Sequence, residues 1–189
     1  MGRLVVHLTR FAGAIAAIGA VAYTINAMTR TGGYVTVTVL SLRTGVPLAG
    51  SSAVRRRESV LDVWGSTLAE QFLSRADVLL AGLSAGVAAL LLPAVLRALM
   101  EGRPLGRGEA ARLGWIALAV TVAVVAGPWL TRTATAAVID RAGLGSTFAP
   151  ASGAEWGAGW PVAALLLVLA VAARAGARRT EAAEAAPAG

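Results

Sequence analysis

The chain has 189 residues, of which 57% are hydrophobic and only 14% are charged, and its mean hydropathy is +0.70. This composition is far more apolar than that of an average soluble domain and predicts a membrane protein. The 17 basic residues outnumber the 10 acidic ones and the formal net charge is +7, but the basic residues, all arginine, lie between long apolar runs. DNA-binding domains instead gather their basic residues on one face, so we predict no nucleic acid partner. The absence of cysteine excludes disulfides and thiolate metal sites.

Four apolar stretches predict transmembrane helices. Each has roughly 18 residues, close to the ~20 that a helix needs to cross a hydrocarbon core. Their central parts carry no charged residue, which agrees with the cost of about 2.5 to 3.5 kcal/mol for a charge at mid-bilayer. We therefore predict an all-α membrane fold, a four-helix transmembrane bundle with a small extracytoplasmic β-hairpin and helix cap. The chain is predicted to be one membrane domain, residues 1–189, with spans at 11–28, 78–96, 113–130 and 156–173, outer loops at 29–77 and 131–155, and a disordered tail at 177–189.

The first apolar stretch also fits the pattern of a secretory signal peptide, because Arg3 and Arg10 precede an apolar core that ends in small residues. We expect this helix to be retained, since its apolar run is long for a signal peptide. Removal would leave the other three spans with the same orientation.

The distribution of arginine predicts the orientation. Arginines crowd the short connection after the second span and also follow the fourth span, where Arg174, Arg178 and Arg179 lie. Cytoplasmic segments carry an excess of such residues, so both termini and this connection are predicted to be cytoplasmic. The lack of lysine and the abundance of alanine, glycine and arginine indicate a high-GC bacterial genome. The predicted location is the inner (plasma) membrane of a bacterial cell, as a multi-pass protein embedded in the lipid bilayer.

The connection ALMEGRPLGRGEAARLGW, from Ala98 to Trp115, is predicted to be a hinge between two helices. Its glycines do not have the spacing of a Walker loop or of a dinucleotide fingerprint. Glycine and proline break the helix over residues 100–107, and a new helix starts at Gly108. The simple interpretation of this connection is a positive-inside loop. As the alternative, its arginines are a candidate contact for anionic lipid headgroups or a cytoplasmic partner. These arginines are Arg97, Arg103, Arg107 and Arg112.

The run LRALMEGRPLGRGEAARLGWIAL resembles the segment between the second and third helices of a bacterial family of four-span membrane proteins, catalogued as a domain of unknown function. In that family a Gly-Arg-Pro-Phe-like turn precedes an Ala-Arg-Leu helix start. The matching residues are Gly102 to Pro104 and Ala111 to Leu113. The end of the chain, AARAGARRTEAAEA, resembles the family's basic, glycine-containing tail. The resemblance implies four spans over most of the chain and implies no activity.

The first outer loop begins with GGYVTVTVLSL, whose alternation predicts a β-strand. A second strand around residues 51–55 is predicted to pair with it as a hairpin. From Ser59 onward, large apolar residues recur every three or four positions and predict a surface helix. Between these elements lies an arginine triplet, Arg55, Arg56 and Arg57. It is a candidate contact for phosphate or lipid headgroups, with a solvated charge cluster as the alternative. In the second outer loop we predict that the third helix continues to Gly143 and that residues 146–153 are irregular.

The inventory for catalysis is poor, because His7 is the only histidine and no second histidine or cysteine accompanies it. We expect no catalytic residue, no metal and no cofactor, and hence no enzyme. Gly82 and Gly86 form a GxxxG pair, which predicts helix packing within the bundle or in a homodimer. The predicted function is noncatalytic: an accessory, regulatory or sensing protein that acts through a membrane or cytoplasmic protein partner. The alternative is a small-solute or ion transporter or channel component, for which Asn26 and Pro93 are the relevant residues.

Overall fold

The structure, a computed structural model, describes residues 2–41, 58–151 and 156–185. This part of the chain is mostly helical, with four long apolar helices and a small three-stranded sheet, so the fold is not purely α-helical. The elements in chain order are α1 (Gly2–Met28), β1 (Val35–Ser41), β2 (Glu58–Val63), α2 (Leu68–Leu73), α3 (Ala76–Met100), α4 (Arg107–Arg141), β3 (Phe148–Pro150) and α5 (Trp156–Ala185).

Four helices of the described chain are long and apolar enough to cross a membrane, with mean hydropathies from 1.8 to 2.3. Their large apolar side chains are widely exposed, for example Phe11 at 66%, Ile18 at 69% and Val168 at 64%. Apolar surface of this extent marks a contact with lipid or protein, and an α-helix satisfies its own backbone hydrogen bonds inside a bilayer. The chain therefore has the character of a multi-pass membrane protein, with candidate spans Leu4–Met28, Ala76–Met100, Arg107–Arg141 and Gly159–Arg179.

Each long helix extends beyond the span predicted for it. Helix α4 extends on both sides of the predicted span 113–130, since it begins at Arg107 and continues to Arg141, close to the end at Gly143 that the sequence predicts. The tail from residue 177, predicted to be disordered, is instead helical to Ala185. Its alanine, arginine and glutamate residues are strong helix formers, so the helix has no local reason to stop where the apolar run does. Residues 186–189 lie outside the described chain.

The predicted break between the second and third long helices is confirmed, since α3 ends at Met100 and α4 begins at Arg107. Gly102 ends α3 with a φ of +64°, a conformation that favours glycine. Its N–H donates to the carbonyl of Leu99 (3.1 Å), and the N–H of Arg103 donates to the carbonyl of Ala98 (3.0 Å). This pair of bonds is a Schellman motif, and Pro104 then prevents the helix from continuing.

The chain, predicted to be a single domain, divides into two compact units. The membrane-helix unit comprises the described residues of Met1–Val21, Leu79–Val125 and Glu155–Gly189. The sheet unit comprises the described residues of Ala22–Val78 and Ala126–Ala154. The sheet unit contains all three strands and α2, together with the last part of α4.

The sheet has the order β2-β1-β3, and both pairings are antiparallel. The register of β1 and β2 runs from Val35 opposite Val63 to Leu40 opposite Glu58. The alternation predicted for β1 is confirmed, because three of its valines point into a core that also receives Val138 and Ile139 of α4. This core belongs to the sheet unit alone and consists of Val35, Val37, Val39, Val138 and Ile139, with Leu61, Val63, Leu144 and Phe148 packed against it.

Of three predictions for the outer segments, one lies outside the described residues and two are wrong in part. The second strand predicted at residues 51–55 lies outside the described residues, and the observed partner of β1 is β2 at Glu58–Val63. The helix predicted from Ser59 is wrong for residues 59–63 and begins only at Leu68, because Leu61 and Val63 also fit a period of two and reach the core through pairing with β1. The irregular conformation predicted for residues 146–153 is wrong for Phe148–Pro150, which pairs with β1.

Candidate functional site

A pocket in the membrane-helix unit is formed by one face of α4 and one face of α5. The contributing residues of α4 are spaced by three and four positions, as are those of α5, so each set lies on one side of its helix. The pocket has a volume of about 200 Å³. We call it the arginine pocket, and it is lined by Arg107, Ala110 and Ala111 of α4 and by Arg174, Ala177 and Arg178 of α5.

Small residues make room for the arginine side chains. Ala110 and Ala177 are both buried, and neither side chain extends beyond a methyl group. Gly114 serves the same purpose one turn further along α4, because a Cβ at this position would lie 2.9 Å from Nη2 of Arg174. The guanidinium of Arg174 can therefore lie directly against the α4 backbone.

The arginine pocket has a strongly positive lining. All six of its described lining residues are arginine or alanine, so three guanidinium groups face it. It also lies at the start of α4, where backbone N–H groups carry a partial positive charge. Two carboxylates near the start of α4 pair with arginines outside the pocket: Glu101 with Arg103 (2.8 Å) and Glu109 with Arg112 (3.9 Å).

The four arginines predicted as one contact are thus separated by the structure. Arg107 is the one of the four among the described lining residues of the pocket, and Arg103 and Arg112 form ion pairs with carboxylates close to them in sequence. Arg97 is exposed in the last turn of α3. The other predicted contact, Arg55 to Arg57, lies outside the described residues. Sequence reasoning did not include Arg174 and Arg178 in the site, although their spacing of four around the small Ala177 was a usable signal.

The GxxxG pair of α3 lies against α1 of the same chain. A Cβ at Gly82 would collide with Cβ of Ala20 and would lie 2.7 Å from the carbonyl oxygen of Ala16. A Cβ at Gly86 would lie 3.0 Å from Cβ of Ala17. The two helices therefore approach so closely that only glycine fits at Gly82.

A buried ion pair that sequence reasoning missed lies in the sheet unit. Glu70 is only 8% exposed, and Nε of Arg141 donates to both of its carboxylate oxygens at 3.2 Å. Nη2 of Arg141 also donates to Oγ of Ser66 at 3.0 Å. Glu70 completes a capping box with Thr67 at the start of α2, where the Thr67 N–H donates to Oε2 of Glu70 at 2.8 Å. This arrangement connects α2 to the last turn of α4.

The sheet unit also carries an exposed aromatic cluster. Trp64, which follows β2, is 64% exposed, and its ring centroid lies 5.3 Å from that of Tyr34. On Tyr34 the guanidinium carbon of Arg30 lies 5.2 Å from the ring centroid, a cation–π geometry. A Cβ at Gly32 would lie 3.6 Å from Cδ1 of Trp64, so the indole covers this glycine. We call Arg30, Tyr34 and Trp64 the aromatic cluster.

Comparison of the chain with protein-family models, curated proteins and solved structures finds no match. The resemblance to the four-span bacterial family therefore stays a prediction. Among the residues that the structure describes, no group of three His, Cys, Asp or Glu residues is placed to hold a metal ion.

Proposed function

We propose that this chain is a noncatalytic membrane protein that performs an accessory, regulatory or sensing role through a protein partner. The observation that carries this proposal is the aromatic cluster on the sheet unit. Tryptophan, tyrosine and arginine are the residue types that contribute most to the energy of protein interfaces. Here they lie together on a folded unit with its own hydrophobic core.

The cluster has the rigidity that a contact surface requires. Tyr34 immediately precedes β1, and Trp64 immediately follows β2, so the paired strands hold both rings. Beyond the strand ends the ladder continues, with the Gly65 N–H donating to the Gly32 carbonyl at 2.7 Å. Aromatic side chains held in this way lose little conformational entropy when a partner binds.

The proposed setting is a bacterial plasma membrane with both termini in the cytoplasm. Four spans return the chain to the side on which it began, and Arg103, Arg107, Arg174 and Arg178 then lie on the positive, cytoplasmic side. The connections between the first and second spans and between the third and fourth spans are then extracytoplasmic. The 35 residues of α4 correspond to about 52 Å of helix against a hydrocarbon core of about 30 Å, so α4 is longer than a single crossing requires.

This orientation can be tested with single cysteines, because the natural chain contains none. Ser146 and Glu101 are both exposed and lie in the proposed outer and inner segments. In intact cells we expect a membrane-impermeant maleimide to label Ser146→Cys and to label Glu101→Cys only after permeabilisation. Leu165→Cys, inside a candidate span, should remain unlabelled in both conditions. Labelling of Glu101→Cys but not Ser146→Cys in intact cells would show the opposite orientation.

The partner hypothesis is tested by placing a photoreactive phenylalanine analogue at position 64 in native membranes. The bulky aromatic side chain preserves the shape of the cluster, and we expect a discrete protein adduct larger than the chain itself. The matched control places the analogue at Leu165, 59% exposed on a candidate span, where we expect lipid adducts. Arg30→Ala should reduce the protein adduct at position 64 several-fold.

Two outcomes would contradict this proposal. Lipid adducts alone at position 64 would place the cluster in the headgroup region, as an aromatic anchor of the kind found at membrane interfaces. Adducts of twice the mass of the chain would show that the protein bound at position 64 is a second copy of this chain and not a different partner. In the first case, flux measurements in proteoliposomes that contain only this protein would test the transport alternative.

A further inference from the structure

Helix α2 of the sheet unit has its polar residues inside and its apolar residues outside. Glu70, Gln71 and the C-cap residue Ser74 are all buried. Leu68 and Phe72, one turn apart on a different side of the helix, are 62% and 39% exposed. A surface helix of a soluble protein has the reverse distribution, with its apolar side toward the core and its polar side in water. We call Leu68 and Phe72 the apolar face of α2, and this face suits an apolar surrounding.

Hydrogen bonds to the rest of the sheet unit fix this orientation of α2. Nε of Arg141 donates to both carboxylate oxygens of Glu70 at 3.2 Å. Nε2 of Gln71 donates to the carbonyl oxygen of Ser66 at 3.1 Å. A rotation of the helix that buried its apolar face would break both connections and leave a carboxylate unpaired. The exposure of the apolar face is therefore a consequence of how the helix is attached.

Contacts inside the sheet unit hold α2 beside residues of the candidate spans. Oγ1 of Thr131 donates to the carbonyl oxygen of Leu73 at 3.4 Å, and the guanidinium carbon of Arg75 lies 5.2 Å from the ring centroid of Tyr23. Thr131 and Tyr23 belong to two of the candidate spans, and a third begins at Ala76. The apolar face of α2 therefore lies close to helices that are apolar enough to cross a membrane.

The surroundings of α2 identify a bilayer interface as the medium that covers its apolar face. Trp129, two residues before Thr131, is exposed, and so is Tyr23; tryptophan and tyrosine are enriched where a span meets the headgroups. Phe72 is four residues before the candidate span that begins at Ala76, a length of chain that reaches at most about 14 Å. An amphipathic helix at such an interface inserts its apolar residues about 5 to 10 Å into the boundary between headgroups and acyl chains.

We propose that α2 is an interfacial anchor whose apolar face, Leu68 and Phe72, inserts into the lipid bilayer at the level of the headgroups. Its buried polar residues then face the protein, and its exposed apolar residues face the acyl chains. The apolar face is continuous with the lipid-contacting surface of the candidate span that follows it. This contact requires lipid alone, so it does not rest on the aromatic cluster or on the partner proposed for that cluster.

The test measures the surroundings of single nitroxide labels by electron paramagnetic resonance. The natural chain contains no cysteine, so Leu68→Cys and Phe72→Cys each give one labelled site in the full-length chain, reconstituted in vesicles of phosphatidylcholine and phosphatidylglycerol. Oxygen is concentrated in lipid, whereas a water-soluble nickel chelate is excluded from it. We expect both labels to collide more often with oxygen than with the chelate, as a label at Leu165→Cys in a candidate span should.

The matched control is Val60→Cys in β2. Val60 is also a large apolar residue of the sheet unit and is 65% exposed, but its neighbours on the same strand face, Glu58 and Asp62, are exposed carboxylates. We expect this label to collide mainly with the nickel chelate. The proposal is overturned if the labels at Leu68→Cys and Phe72→Cys behave as the control does, because water would then cover α2. It is also overturned if both reagents are excluded from them, since protein would then cover the apolar face.

A second pair of variants asks whether the leucine side chain itself holds α2 in the lipid. The label is placed at Ala69→Cys, an exposed position of α2, and is combined with Leu68→Gln or with Val60→Gln. We expect Leu68→Gln to reduce the ratio of oxygen to chelate collisions several-fold and Val60→Gln to leave it unchanged. The unfolding midpoint in detergent should be the same for both, since each changes an exposed side chain. An unchanged ratio in Leu68→Gln would overturn the role of the apolar face as an anchor.

Discussion

Replacement of Gly82 by leucine is expected to lower the thermal unfolding midpoint of the purified protein by about 6 to 12 °C. Overpacking a close contact costs roughly 3 kcal/mol at the upper end of its usual range, and each kcal/mol shifts the midpoint of a chain of this size by about 2 to 4 °C. The unfolding midpoint in detergent, followed by intrinsic fluorescence, provides the measurement.

The size of this effect follows from what Gly82 touches. A Cβ at this position already meets Ala20, and it would lie 2.7 Å from the carbonyl oxygen of Ala16. The carbonyl belongs to the α1 backbone and cannot turn away without breaking a helical hydrogen bond. On the other helix Gly13 is in a similar position, since a Cβ there would collide with Cβ of Ala89. Both helices therefore have glycine, which carries no side chain, at positions where they meet.

The matched control is Gly19→Leu on α1. A Cβ at Gly19 meets nothing within 4 Å, and leucine has a higher helix propensity than glycine by up to about 1 kcal/mol. We expect a midpoint that is unchanged or slightly raised. Equal losses for Gly82→Leu and Gly19→Leu would contradict the close contact between α1 and α3. Loss of a dimer by Gly82→Leu, with no change in the midpoint, would place the glycine between two copies instead.

The helices were predictable because their signal is local. Length and hydropathy alone identify a span, and the Gly-Arg-Pro run from Gly102 identifies the break between α3 and α4. The same holds for β1, whose alternating valines have one side in the core. Helix ends were less predictable, since alanine, arginine and glutamate continue a helix beyond the apolar run.

The other strands depend on partners that are distant in sequence. In β2, Leu61 fits both a helical period with Trp64 and Leu68 and a period of two with Ser59 and Val63, and only pairing with β1 decides between them. The three residues of β3 are too short to carry a periodic signal. The arginine pocket is hidden from sequence analysis for a similar reason. The sequence shows which residues share one face of α4 and which share one face of α5. It does not show how α4 is aligned with α5, because that alignment is set in part by the contact of Gly114 with Arg174.

The second large effect is expected in the sheet unit, where Arg141→Met should destabilise the protein by roughly 2 to 4 kcal/mol, because it leaves the buried carboxylate of Glu70 without its cation. Glu70→Gln should cost less, about 1 kcal/mol, since the amide oxygen can still accept from the Thr67 N–H and Arg141 is partly exposed. Thermal unfolding, with hydrogen exchange in β1 and α2 as a readout specific to this unit, measures both.

The double variant Glu70→Gln/Arg141→Met separates the pair from its surroundings. If the cost of Arg141→Met comes from the stranded carboxylate, removal of that charge should restore part of the stability, and the double variant should be more stable than Arg141→Met alone. Additive losses would mean that Arg141 acts through other contacts, such as its hydrogen bond to Ser66. Coupling between Glu70 and Arg141 would make the start of α2 and the last turn of α4 depend on each other. The segment that carries Trp64 would then be ordered only when α4 is folded to its end.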